Sequence, residues 1–177
     1  SLEDTTKQHY MYFFDPDYVT QMRIPGFDPH LDIAVLANMM THVQSEQHKS
    51  KEVDYSEIRN KAKIVNFAGV YGAGPPKIAL TAGMPLSQAK KLHKTYWERN
   101  KAVKLVAKSA IVKTLKYDGE EQMWLYNPVS KFWYSLRYEK DKFSTLNQGT
   151  GVFCFDLWVR EVRLSGIKIM LRYHDEI

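Results

Sequence analysis

The chain has 177 residues, enough for about one domain with a buried core. Its 44% hydrophobic and 25% charged content is that of an ordinary soluble globular protein, and the net charge of +5 with a pI near 9.1 favours a polyanionic partner. A single cysteine, Cys154, excludes a disulfide framework and a multi-cysteine zinc site, and no apolar run approaches the roughly 18 residues needed to span a bilayer.

The expected fold class is α+β and mainly helical, with an intracellular, cytoplasmic setting. The chain opens on Ser1-Leu2-Glu3-Asp4, where Glu3 by itself is an undistinguished acid. Residues 9–27 are aromatic and rich in turn formers, which predicts a short helix or extended piece and then a loop. Asp28-Pro29 predicts an N-cap with proline in the first turn, leading into Leu31, Ile33, Ala34, Leu36, Ala37 and Met40 at helical spacing. His30 is a first-turn polar residue of that helix. Residues 44–54 look like a solvated connection.

The stretch from Arg59 to Gly72 organises the rest. As a helix at about 100° per residue it places Arg59, Lys63, Asn66, Phe67 and Val70 on one side and Ile58, Ala62, Ile64, Val65 and Ala68 on the other. With the second group buried, the first combines two cations and a ring one turn apart, which suits a ligand both anionic and flat, such as a nucleoside triphosphate. The alternative is an amphipathic helix with solvated cations. Asp54 or Ser56 is the expected cap, and Gly72-Ala73-Gly74-Pro75-Pro76 ends the helix.

Helices are then predicted over 77–81 and 86–100; the lysines of the second, Lys90, Lys91 and Lys94, either touch phosphates or merely solubilise. Val103, Val106, Ala107, Ala110, Ile111 and Leu115 predict one amphipathic helix over 101–117, with Asp118-Gly119 as a turn. Residues 122–134 predict a hairpin around Asn127-Pro128-Val129-Ser130. A long helix over 139–165 contains Asn147-Gln148-Gly149-Thr150-Gly151, whose two glycines are tolerable if something approaches the backbone closely. Residues 167–173 alternate as a strand and deliver His174-Asp175-Glu176 at a turn.

Arg-x-x-x-Lys-x-x-x-Phe-x-x-x-Tyr-Gly, from Arg59 to Gly72, resembles motif B of family A DNA polymerases, the O-helix of the fingers, here at about 55–72. Tyr173-His174-Asp175-Glu176 resembles motif C, Gln148-Gly149-Thr150 the Q-helix, and Ser1-Leu2-Glu3 the second half of motif A. The hairpin sequence is similar to phage representatives. The family glycine after the motif B phenylalanine is replaced by Ala68, and Gly151-Val152-Phe153 departs from the run that follows Gln-Gly-Thr.

The resemblance implies a fingers subdomain over 28–118, flanked by palm segments over 1–27 and 119–177. It implies template-directed transfer of deoxynucleotides to a primer 3′-hydroxyl, in viral replication, with primer-template DNA and a deoxynucleoside triphosphate as partners. A processivity factor is left unspecified. Two magnesium ions about 3.5–4 Å apart would serve the reaction, one of them on Asp175. His174 and Glu176 would support it, and His174 would also contact the DNA. Arg59, Lys63 and His30 would meet the triphosphate, Lys63 protonating the leaving pyrophosphate, while Phe67 and Tyr71 form the sugar and base wall. Glu3 would be the steric gate against a ribose hydroxyl, and Gln148 would check base-pair geometry from the minor groove. Glu3 and Glu176 argue for DNA rather than RNA synthesis. The motif A aspartate is expected upstream of Ser1, which would leave the isolated chain inactive. The other readings are a non-enzymatic basic module that binds nucleic acid, and a metal nuclease built on His174, Asp175 and Glu176.

Overall fold

A computed structural model describes residues 2–171, the side chain of Tyr117 apart. In chain order its elements are α1 (Leu2–Tyr12), α2 (Pro16–Met22), α3 (Pro29–Leu36), α4 (His42–Lys49), α5 (Ser56–Val70), α6 (Pro75–Ala82), α7 (Leu86–Arg99), α8 (Lys101–Ser109), β1 (Val112–Tyr117), β2 (Glu120–Tyr126), β3 (Trp133–Leu136), a 3-10 turn (Glu139–Asp141) and α9 (Lys142–Leu164). The class is α+β, mainly helical with a small antiparallel sheet. The chain divides into two compact units. One is Asp15–Lys104; the other joins the segment up to Phe14 with the segment from Leu105 onward.

In the first unit the helix starts are written in the sequence. Asp15 accepts from the Tyr18 N–H and Asp28 from those of His30 and Leu31, each with proline at the first helical position. Gly83 closes α6 at a positive φ of 58°, a conformation in which glycine carries no Cβ penalty. The core lies among α3, α5, α6 and α7, where Ile33, Val65, Ile78, Leu92 and Tyr96 are fully buried. Arg99 fastens α7 to α2 and α3: its guanidinium stacks 3.5 Å from the Tyr18 ring centre while Nε donates to Asp32 at 3.0 Å. Burial, partly offset by Arg99, leaves the Tyr18 hydroxyl pushed up to about 12, so it stays protonated.

Two expectations change here. Residues 44–49, expected as part of a polar connection over 44–54, belong to α4, because Thr41 and Gln44 make a reciprocal capping box. The residue before α5 is Tyr55, which makes no side-chain cap; the Asp54 carboxylate does accept from the Ser56 N–H at 2.9 Å.

In the second unit the helix predicted over 101–117 is not continuous. It stops at Ser109, whose hydroxyl donates back to the Val106 carbonyl, and the chain continues as β1. Asp118 and Gly119 have φ of 52° and 79° and form a two-residue loop, with Tyr117 opposite Glu120. Such paired positive angles match the twist of the flanking strands, so the Asp-Gly turn makes residues 112–117 a strand rather than a helix end. Ile111 and Leu115, expected on a buried face, are exposed. β2 pairs with both neighbours in the order β1-β2-β3. The hairpin predicted over 122–134 is present as β2 and β3, and Asn127 shapes its connection by accepting from the Val129 and Ser130 N–H groups. Residues 167–171, expected as strand, pair with nothing among the described residues and take no regular conformation.

Candidate functional site

Motif B occupies α5, and its facing differs in part from the expectation. Lys63 and Phe67 are exposed and Arg59 is half-buried, but Asn66 and Val70 are buried at 7% exposure each, alongside Ala62 and Val65. The buried side of α5 is therefore wider than the apolar count suggests. Asn66 can join it because its amide finds partners on α3.

Those partners bring the start of α3 against the middle of α5. The Arg59 Nε donates to Asp28 Oδ2 at 2.7 Å, and Asn66 Nδ2 lies 3.2 Å from the Pro29 carbonyl oxygen and 2.8 Å from His30 Nδ1. The His30 and Phe67 rings have centroids 6.2 Å apart at a 36° tilt, and the Lys63 ammonium is 5.9 Å from the Phe67 centroid. Four residues singled out in the sequence, His30, Arg59, Lys63 and Phe67, thus share one surface within one unit. Tyr71 follows at the end of α5, 40% exposed.

Asp28 is the residue the sequence reading undervalued. It caps α3 and holds Arg59 with the same carboxylate. Burial works against its charge, but the hydrogen bonds from Arg59 and from the Leu31 and His30 N–H groups outweigh it and hold the carboxyl below its ordinary range. The His30 and Leu31 N–H groups, at a helix start that would otherwise favour an outside anion, are thereby satisfied from within. Attraction for an anion at this surface falls to side chains, with Lys63 exposed and Arg59 sharing its charge with Asp28.

Glu3 lies in the first turn of α1 and Gln148 on α9, both in the other unit. Gln148 is exposed between buried Asn147 and Gly149. A polar network fastens its neighbours on α9: Thr6 donates to Asn147 Oδ1 at 2.7 Å, Tyr10 and Thr150 share a 2.7 Å hydrogen bond, and Asn127 Nδ2 donates to Thr150 at 2.9 Å. The close approach that the glycines anticipated occurs at Gly149, where a Cβ would sit 2.9–3.2 Å from the Tyr134 ring; at Gly151 nothing lies within 4 Å. His174, Asp175 and Glu176 lie outside the described residues, and among the described residues no group of three or more His, Cys, Asp or Glu could hold a metal ion. Lys90, Lys91 and Lys94 are exposed on α7. Among the described residues, no helix is long and apolar enough to cross a membrane.

No family model matches the sequence. Over 161 residues the chain is 26% identical to a DNA polymerase I from Helicobacter pylori (strain J99 / ATCC 700824), a match that covers 85% of this chain and 18% of that protein. The chain therefore spans about a fifth of the length of the curated relative it matches, and the similarity is to a DNA polymerase at a coarse level.

Proposed function

We propose that this chain is the nucleotide-gripping part of a family A DNA polymerase of phage type, with residues 28–118 in the fingers role and residues 1–27 and 119–177 in the palm role. The observation that carries the reading is the surface shared by α3 and α5, where Lys63, Arg59, His30 and Phe67 converge. The similarity to a DNA polymerase I supports it.

In this reading Lys63 meets the β- and γ-phosphates of an incoming deoxynucleoside triphosphate with charge-assisted hydrogen bonds, and supplies the proton as pyrophosphate leaves. Arg59 adds a second cation, aimed by Asp28. Phe67 packs its exposed ring on the sugar and base, Tyr71 extends that wall, and Glu3 excludes a ribose hydroxyl. Gln148 donates into the minor groove of primer-template DNA, where correct base pairs present nearly the same acceptors. Magnesium would supply activation of the primer hydroxyl and charge neutralisation of the triphosphate. Its assignment rests on Asp175, with His174 and Glu176 beside it, and the described residues offer no cluster of their own. What the described residues contribute is binding and orientation. The cellular setting that goes with this reading is the cytoplasm, that of the host if the source is viral.

The test is a titration of this chain with dGTP, followed by intrinsic fluorescence. Lys63→Ala removes an exposed cation and should weaken binding about 10-fold, the low end for a hydrogen bond to a charged group. Phe67→Ala should weaken it by a similar factor through lost stacking, roughly 1–3 kcal/mol per base. If both variants bind dGTP as the parent does, the reading is wrong.

A further inference from the structure

Asn66 was placed by spacing alone on the cation-bearing side of α5, yet it is buried and faces the start of α3. Its amide has two neighbours there. The Pro29 carbonyl oxygen, 3.2 Å away, can only accept, so the amide group turned toward it must be the NH2 and not the oxygen. The same nitrogen stands 2.8 Å from His30 Nδ1, and with one N–H given to Pro29 it offers the other to the ring. A ring nitrogen that accepts carries no proton, so the ring's proton belongs on the opposite nitrogen.

We propose that Asn66 is a positioning residue that sets the tautomer of His30, holding the imidazole neutral with its proton on Nε2. The Pro29 carbonyl is what makes the arrangement directional. Without it the amide could rotate, present its oxygen to Nδ1 and favour the other tautomer; with it, rotation would put two oxygens face to face. The Phe67 ring at 6.2 Å packs beside the imidazole and the N-terminal turn of α3 carries its backbone, so the ring plane is constrained as well as the proton. The consequence for ligand binding rests on the nucleotide reading above: a neutral ring with a fixed Nε2–H is a hydrogen-bond donor toward a phosphate oxygen that needs no proton uptake to act. Asn66 itself need touch no ligand.

The decisive experiment is nitrogen-resolved NMR of the His30 ring in this chain at about pH 8, above the ordinary imidazole range. The parent should show a protonated Nε2 and an unprotonated, hydrogen-bonded Nδ1. Asn66→Asp keeps the shape but turns the neighbour into an acceptor, and should move the proton onto Nδ1. Asn66→Leu removes the donor without adding an acceptor and should give a tautomer average. A proton on Nδ1 in the parent, an averaged ring in the parent, or an unchanged Nε2–H pattern in Asn66→Asp would each overturn the inference. The parent spectrum decides even if a variant fails to fold. Adding dGTP separates the two claims: an Nε2–H pattern that dGTP leaves unmoved would sink the nucleotide reading while Asn66 keeps its role, whereas a proton on Nδ1 would sink the inference whatever dGTP does.

Discussion

Each unit of this chain uses a helical glycine to admit a tyrosine ring, and the two solutions differ in how much room they leave. Gly69 of α5 lies under Tyr96 of α7, so that a Cβ there would come within 2.2–2.6 Å of the ring. Tyr96 is fully buried among Ile33, Val65, Ile78 and Leu92, and cannot withdraw. Gly149 of α9 lies under Tyr134 of β3 at 2.9–3.2 Å, but that ring is only partly buried and tied at its tip, its hydroxyl donating to the Gly149 carbonyl at 3.2 Å. The first contact is close packing of a core; the second is a hinged contact beside a buried polar network. A glycine in a helix therefore says that something is near, and its neighbour's freedom decides how firmly the position is fixed.

Alanine at the two positions tests this most strongly. Gly69→Ala should destabilise the chain by about 2 kcal/mol, since overpacking at the upper end of its range outweighs the roughly 1 kcal/mol gained in helix propensity. Gly149→Ala should change stability by about 1 kcal/mol or less, because Tyr134 can tilt away. Urea midpoints at unchanged slope read both. Equal losses would show that the exposure of the ring does not matter.

The tyrosine hydroxyls sharpen the contrast with smaller effects. The Tyr96 hydroxyl is buried and has no protein partner among the described residues, and burial pushes its titration far up. Tyr96→Phe should be neutral or stabilising by up to about 1 kcal/mol, whereas Tyr134→Phe should lose about 1 kcal/mol with its bond to Gly149. Calorimetry of the two variants would show opposite signs, and matching signs would contradict the contrast.

Much of the first unit was legible because its helices begin and end with side chains that act locally. Asp28-Pro29, the Pro-Gly breaks and the spacing of Leu31, Ile33, Ala34, Ala37 and Met40, all buried, need no knowledge of distant partners. Thr41-x-x-Gln44 carried the same kind of signal for α4, which polar composition hid. The failures were non-local. Val103 and Val106 are buried as a helix face should be, but Ile111 and Leu115 fit helical and alternating patterns alike, and only the Asp118-Gly119 geometry decides between them. At the site, motif spacing grouped Arg59, Lys63 and Phe67. It could not show that Asp28, 31 positions before Arg59, answers its charge, nor that Asn66 turns inward, because both facts depend on how α3 meets α5.

Acid should reveal the smallest effect, and it lies at that same meeting point. The Asp28 carboxyl is held low in the folded chain, so its contribution is fully present above the ordinary carboxylate pKa of about 4 and disappears as pH falls through its lower folded value. Asp28→Asn keeps a cap but loses the ion pair with Arg59. At neutral pH it should be less stable than the parent by less than about 1 kcal/mol, and the gap should narrow in acid. A gap that widens in acid would mean that Asp28 carries no net favourable charge interaction.

The strand that replaced the expected helix has a bearing on how the chain behaves in crowded solution. β1 forms one margin of the sheet, and among the described residues no strand pairs with its outer side, which makes that side a template onto which a second chain could add. Lys113 and Lys116 stand on it, exposed, with Thr114 and the exposed Leu115 between them. The opposite margin, β3, is only Trp133–Leu136. Charge on one border and brevity on the other discourage edge-to-edge growth, so a ribbon that an apolar sequence would have made sticky is kept from seeding aggregates.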